Sequence, residues 1–129
     1  MLDTNIISNL IKHPQGMCVR RIARLGEGSI CTSVIVAAEL RYGLAKKGSE
    51  LLRRAVEDVL SEIKVLPFEV PADFDYGDIR ARLEAAGQTI GGNDLLIAAH
   101  ARAVGATIVT RNAGEFARVP GLTVENWLT

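Results

Sequence analysis

IGGNDLLIAAHARAVGATIVTRNAGEF, from Ile90 to Phe116, joins a polar loop, an apolar helix, a β-branched strand and a second polar turn in one run. Ile90-Gly91-Gly92-Asn93 is turn chemistry, and Asp94 then opens an apolar stretch from Leu95 to Val104 in which only His100 and Arg102 are strongly polar. That pattern predicts a mostly buried helix. Gly105 ends it, and Ala106-Thr107-Ile108-Val109-Thr110 follows as a short strand. Because Arg111-Asn112-Ala113-Gly114-Glu115-Phe116 comes next, Asn112 and Glu115 fall at the carboxyl end of a strand, the edge where open parallel sheets hold their ligands. Asp94 can lie near that edge. Read as plain structure, Asp94 is an N-cap and Glu115 a solvated turn residue.

Upstream, the same alternation repeats. Met1-Leu2-Asp3-Thr4 reads as the end of a short strand and Asn5 to Ile11 as helical, which puts Asp3 at a strand-to-helix turn. Asp3, Thr4 and Asn5 are all good capping residues, and three in a row is more polarity than one cap needs. Pro14 and Gly16 break the chain before an amphipathic helix, Met17 to Leu25, closed by Gly26. Gly28 to Thr32 is a second strand, and Ser33 caps a helix from Val34 to Leu44. Within that helix Glu39 follows Val34-Ile35-Val36-Ala37-Ala38, an apolar setting in which an unpaired carboxylate is costly to bury. Arg41, two residues on, points to another side, so Glu39 calls for a metal ion, a distant arginine or exposure at the helix edge. Ser49 to Ile63 is a further amphipathic helix, Lys64 to Phe68 a third strand, and Ala72 to Ala86 a helix ended by Gly87. Asp73, Asp75 and Asp78 in its first turns suit the helix macrodipole and lack the spacing of a calcium loop. A last short strand lies within Val119 to Val124, with Trp127 and Leu128 packing on the body.

A chain of 129 residues with 48% hydrophobic content has material for one domain, residues 1–129, with a real core. No apolar run approaches the ~20 residues that span a bilayer, and no signal-peptide pattern opens the chain, so a cytoplasmic protein without membrane contact is expected. Cys18 and Cys31 lack the spacing of a zinc site and read as buried thiols. A formal net charge of zero argues against a protein that coats nucleic acid nonspecifically. Basic clusters at Arg20-Arg21-Arg24, Lys46-Lys47, Arg53-Arg54 and Arg80-Arg82 sit beside helical sequence, as solvated faces do.

Strands alternating with helices imply an α/β domain, its parallel sheet covered on both faces. In that frame Asp3, Glu39, Asp94 and Glu115 can converge at one edge. An oxygen-rich set of this kind suits Mg²⁺ or Mn²⁺, which bind phosphate oxygens, and the chemistry that uses it is in-line phosphodiester hydrolysis.

With those residues assembled, the sequence resembles the PIN-domain ribonucleases of the VapC toxin family, the toxic half of bacterial type II toxin–antitoxin modules. The resemblance spans essentially the whole chain. It rests on MLDTN at Met1 to Asn5, AAELRYG at Ala37 to Gly43, IGxxDLLIAAHA at Ile90 to Ala101 and VTRNxxEFxRVPGL at Val109 to Leu122. It implies a PIN-like fold, a central parallel β-sheet wrapped by α-helices. Asp3, Glu39 and Asp94 would be catalytic, metal-binding carboxylates, and Glu115 would take the fourth acidic position. Thr4, Asn5, Thr110 and Asn112 would orient ligands or water. Where many relatives carry Pro-Tyr before the central Asp, this chain has Gly92-Asn93. The implied function is Mg²⁺- or Mn²⁺-dependent cleavage of RNA, often tRNA. The implied partner is a VapB-type antitoxin, bound to a homodimer as a heterotetramer or larger. A PIN-like domain that binds RNA or protein without cutting is the alternative, and a missing acid would favour it.

Overall fold

The structure, a computed structural model, describes residues 1–128. Its sheet is built from very short strands, Cys31–Ser33 (β1), Lys64–Leu66 (β2), Ile108–Val109 (β3) and Val124–Glu125 (β4), with the Leu2 segment at the centre. β1 pairs in parallel with β2, Thr32 opposite Val65, and β3 pairs in parallel with β4, Ile108 opposite Val124. Leu2 is bridged in parallel to both Thr32 and Val109, so the strand order is β2, β1, Leu2, β3, β4. Burial explains the sequence pattern. Leu2 and the Ile108–Val109 pair at the middle are buried, whereas β2 and β4 at the edges are more open.

Seven helices among the described residues wrap this sheet: Thr4–Lys12 (α1), Met17–Leu25 (α2), Val34–Lys47 (α3), Glu50–Glu62 (α4), Ala72–Ala85 (α5), Gly92–Ala103 (α6) and Ala113–Phe116 (α7). Their starts follow the sequence signals where a side chain can act as cap. The Ser33 hydroxyl accepts from Ile35 N at 3.0 Å, and the Ser49 hydroxyl from Leu52 N at 3.2 Å. α6 departs from expectation. It starts at Gly92 behind a Gly91 cap that offers no side chain, so Asp94 lies inside the first turn and is not the N-cap. Gly28 and Ser29, expected within a strand, belong to a single 3-10 turn, Glu27–Ser29, and the last strand is confined to Val124–Glu125.

α6 buries Leu95, Ile97, Ala98, Ala99, His100 and Ala101, and its run of alanines lets α5 and the sheet approach closely. His100 Nδ1 lies 2.7 Å from the Ser33 hydroxyl, and its ring meets Phe68 edge-on at 5.5 Å. Burial lowers the His100 pKa and favours the neutral ring. The hydroxyl that caps α3 therefore also ties α3 to α6, the two helices that carry Glu39 and Asp94. No helix among the described residues is long and apolar enough to cross a membrane.

The acidic start of α5 has a more specific role than favouring a helix dipole. Arg102 on α6 reaches Asp75 at 2.5 Å, Asp78 at 2.8 Å and the Pro120 carbonyl at 3.1 Å. The Arg102 and Asp75 side chains are only 16% and 14% exposed, so this fork joins α5, α6 and the C-terminal loop out of bulk water. Arg102→Ala would leave Asp75 half-buried without a partner. We expect a cost of about 3 kcal/mol, or roughly 10 °C in melting temperature for a chain of this size. A thermal melt followed by circular dichroism checks this, and a shift under about 2 °C would show the fork to be dispensable.

Candidate active site

Where the Leu2 segment ends, the chain turns into α1, and Asp3 occupies the turn. One carboxylate oxygen accepts from the backbone N–H of Thr4 at 2.8 Å, as a helix cap does. The other crosses to the end of β3, accepting from the Thr110 hydroxyl at 2.7 Å and, more weakly, from Asn5 Nδ2 at 3.4 Å. The capping reading thus holds for one oxygen of Asp3, and the other is tied to the end of β3. With 3% exposure its carboxyl is pushed above the ordinary range by burial; the hydrogen bonds from Thr110 and Thr4 work against this, and Glu39 adds to it by repulsion.

Glu39, for which the sequence supplies no obvious partner, finds no arginine. Its oxygens accept from the Thr4 hydroxyl at 2.6 Å and from Asn93 Nδ2 at 3.3 Å. Asn93, in the first turn of α6, thus supports a carboxylate of α3 directly. Asp94 is pushed up to about 7, first by burial, then by a hydrogen bond with Glu115 and by repulsion from Asp3, Glu115 and Glu39. Glu115, in the one-turn helix α7, also accepts from Gly91 N at 3.2 Å.

Asp3, Glu39 and Asp94 line one open cleft of about 480 Å³, and Glu115 touches Asp94 without lining it. Thr4, Asn5 and Asn112 line the same cleft, while Thr110 does not line it but is fully buried and bonded to Asp3. Asn112 contributes through its backbone, donating its N–H to the Thr110 hydroxyl at 3.0 Å. The Asn5 side chain accepts from Arg111 N at 2.9 Å. Sequence reasoning missed the remaining lining residues, Ser8, Asn9, Lys12, His13 and Arg111. The signal was present in α1, where Thr4, Ser8, Lys12 and Asn5, Asn9, His13 form two rows at i, i+4, i+8. Ile6, Ile7 and Leu10 take the buried face.

None of the four acids forms an ion pair among the described residues. No three of the chain's described Asp, Glu, His or Cys side chains close on a common point as a finished ion shell either. Hydroxyl and amide donors hold Asp3 and Glu39, while Asp94 and Glu115 share a hydrogen bond. The four acids offer oxygen donors alone, which suits a hard divalent ion.

The model of the family described as "PIN domain" matches residues 1–122. The chain is 43% identical over 129 residues to Ribonuclease VapC2 of Rickettsia felis, covering 98% of this chain and 96% of that protein. It is 41% identical over 130 residues to the tRNA(fMet)-specific endonuclease VapC of Shigella flexneri, covering 98% and 96%. Among solved structures it is similar to VapBC2 from Rickettsia felis, bound to a DNA fragment from their promoter. That match has a TM-score of 0.93 and 41% identity, covering 98% of this chain and 97% of the other.

Proposed function

The chain belongs to the PIN-domain family, and on that premise we propose that it is a divalent-metal-dependent endoribonuclease, the toxin of a VapBC-type toxin–antitoxin pair. The observation that carries the reading is the shared cleft of Asp3, Glu39 and Asp94, three carboxylates without a cationic side chain as partner. Burial, a hydrogen bond with Glu115 and then repulsion from Asp3, Glu115 and Glu39 raise the Asp94 pKa to about 7, and a cation beside it would oppose all three. The names of the relatives, ribonuclease and tRNA(fMet)-specific endonuclease, support an RNA substrate and make tRNA the first to try.

Asp3, Glu39 and Asp94 would hold Mg²⁺ or Mn²⁺, with Glu115 supporting Asp94 or joining as a fourth ligand. A bound ion of this kind polarises the scissile phosphate and acidifies the attacking water. The residues of the chain do the positioning. Thr4 N–H and the Thr110 hydroxyl aim the two oxygens of Asp3, and the Thr4 hydroxyl with Asn93 aims Glu39. Asp94 and Glu115 share a hydrogen bond, and a proton held there has to leave before both can face a cation. No protein nucleophile is required. All four acidic positions are filled, so the non-catalytic reading has no specific observation in its favour.

The likeness to VapBC2 supports an antitoxin partner. An antitoxin that places an arginine among these carboxylates would silence them, since a fork of donors substitutes for a cation. The decisive experiment incubates the purified protein with total RNA, with and without Mg²⁺, and sequences the new ends. Discrete ends that need Mg²⁺ are expected. Equal cleavage in chelator would remove the metal from the proposal, and intact RNA under every divalent ion would remove the ribonuclease.

A further inference from the structure

The cleft has a second region that the carboxylates do not explain. Along it, α1 presents Thr4, Asn5, Ser8, Asn9, Lys12 and His13, a polar face with hydrogen-bond donors and no acid. Arg111 lines the same cleft. We propose that this face of α1, together with Arg111, is a track for the RNA backbone, holding phosphates that flank the one to be cut. The proposal rests on the ribonuclease reading above and adds where the strand lies.

Three observations converge on it. First, Lys12 and Arg111 share a cleft with three carboxylates yet form no ion pair with them among the described residues. Most arginines of the chain are committed: Arg21 to Glu125, Arg41 to Glu57, Arg53 and Arg54 to Glu50, Arg80 to Glu84, Arg82 to Asp78, Arg102 to Asp75 and Asp78, and Arg118 to the Thr89 carbonyl. The guanidiniums of Arg20, Arg24 and Arg111 have no partner among the described residues, and of the three Arg111 alone lines the cleft of the carboxylates. Second, the roots of both cations are fixed relative to the acids. Arg111 N–H is bound by Asn5, whose amide also reaches Asp3. Lys12 stands at the far end of the helix that Asp3 caps, nine residues on, which is roughly 13 Å along the axis at the usual helical rise. That separation suits a neighbouring phosphate better than the one at the carboxylates. Third, the neutral groups between them, Ser8 and Asn9, are the kind that bond phosphate oxygens and 2′-hydroxyls. A polyanionic strand would be repelled by an acidic face, and this one has no acid.

The test measures binding of labelled bulk tRNA to the full chain in chelator, so that nothing is cut, across a range of salt. Replacing Lys12 and Arg111 together by alanine should weaken binding at least ~10-fold. It should also flatten the slope of log K against log salt by about 0.7 for each lost contact, roughly 1.4 in all. Lys12→Arg with Arg111→Lys should restore the slope, and Arg54→Ala on the exposed face of α4 should leave it unchanged. An unchanged slope in the folded double alanine variant would overturn the track. Flattening equal to that of Arg54→Ala would too, because it reports net charge alone. The two readings fail separately. A protein that cuts RNA with Mg²⁺ but keeps its slope loses only the track, while one that flattens as expected but never cuts loses only the nuclease.

Discussion

An Asp94→Asn protein should lose RNA cleavage by at least ~10²-fold while keeping the circular dichroism spectrum of the wild type. Asparagine keeps the size of the side chain and can still donate to Glu115, so the first turn of α6 has no reason to rearrange. What disappears is one of three negative charges that face the cleft, and with it the electrostatic hold on a divalent ion. Removing a single preorganised group at a reacting phosphate or carbonyl commonly costs 10²–10³ in rate, and loss of a metal ligand belongs at the upper end of that scale. Expression in cells gives the same comparison without purification. Wild-type protein made without an antitoxin should arrest growth, and the variant should not. If a folded Asp94→Asn protein cuts RNA at the wild-type rate, the cleft of Asp3, Glu39 and Asp94 is not the active site.

The second large effect is on stability, and its sign follows from the direction of the shifts. Asp94 has its pKa raised from an ordinary carboxylate value of 3.8 to about 7 in the folded chain, and Asp3 is raised as well. A folded state that holds a proton longer than the unfolded one loses stability as pH climbs from the unfolded pKa to the folded one. Without metal, the protein should therefore weaken between about pH 4 and pH 7, by at most about 1.4 kcal/mol per pH unit from Asp94, and level off above. Mn²⁺ or Mg²⁺ should reverse the loss, by about 2.7 kcal/mol at a hundred times its dissociation constant. Asp94→Asn has no such proton to lose. It should melt at or above the wild type in chelator at neutral pH, and give up most of the rise that Mn²⁺ produces. Thermal melts of both proteins in chelator and in Mn²⁺, at several pH values, read this out. A variant that melts lower in chelator, beside a wild type indifferent to Mn²⁺, would mean that the carboxylate is structural.

How far the sequence carried depended on whether the deciding interaction was local. Ser33 and Ser49 announce their helices because a hydroxyl two or three residues before a free amide is a nearest-neighbour effect. The start of α6 was hidden for the complementary reason: Gly91 caps with no side chain, so Asp94, the first conspicuous polar residue, seemed to open the helix. Glu39 is legible as a costly carboxylate in an apolar helix, and Asp3 and Glu115 as acids that follow strands, but their partners are not. Glu39 is held by Thr4 and Asn93, 35 and 54 residues away, and nothing within a window around Glu39 indicates either. Arg102 with Asp75 and Asp78, and His100 with Ser33, are long-range pairs of the same kind. The row of polar residues on α1 is a different case. Its spacing was on display, but a solvated face has the same spacing, and only the cleft distinguishes them.

The hydrogen bond from Thr110 to Asp3 joins residues 107 positions apart. At a synthesis rate of about 5–20 residues per second, a ribosome needs roughly 5–20 s to travel from one to the other. During that interval the nascent chain carries Asp3 and then Glu39, with neither the strand that pairs beside Leu2 nor the hydroxyl that aims the first acid. A truncated product that stops before Thr110 cannot assemble the cleft at all. On the ribonuclease reading proposed above, the molecule would thus be harmless to the RNAs of its own translation until most of it has been made, and an antitoxin synthesised nearby would have those seconds in which to arrive.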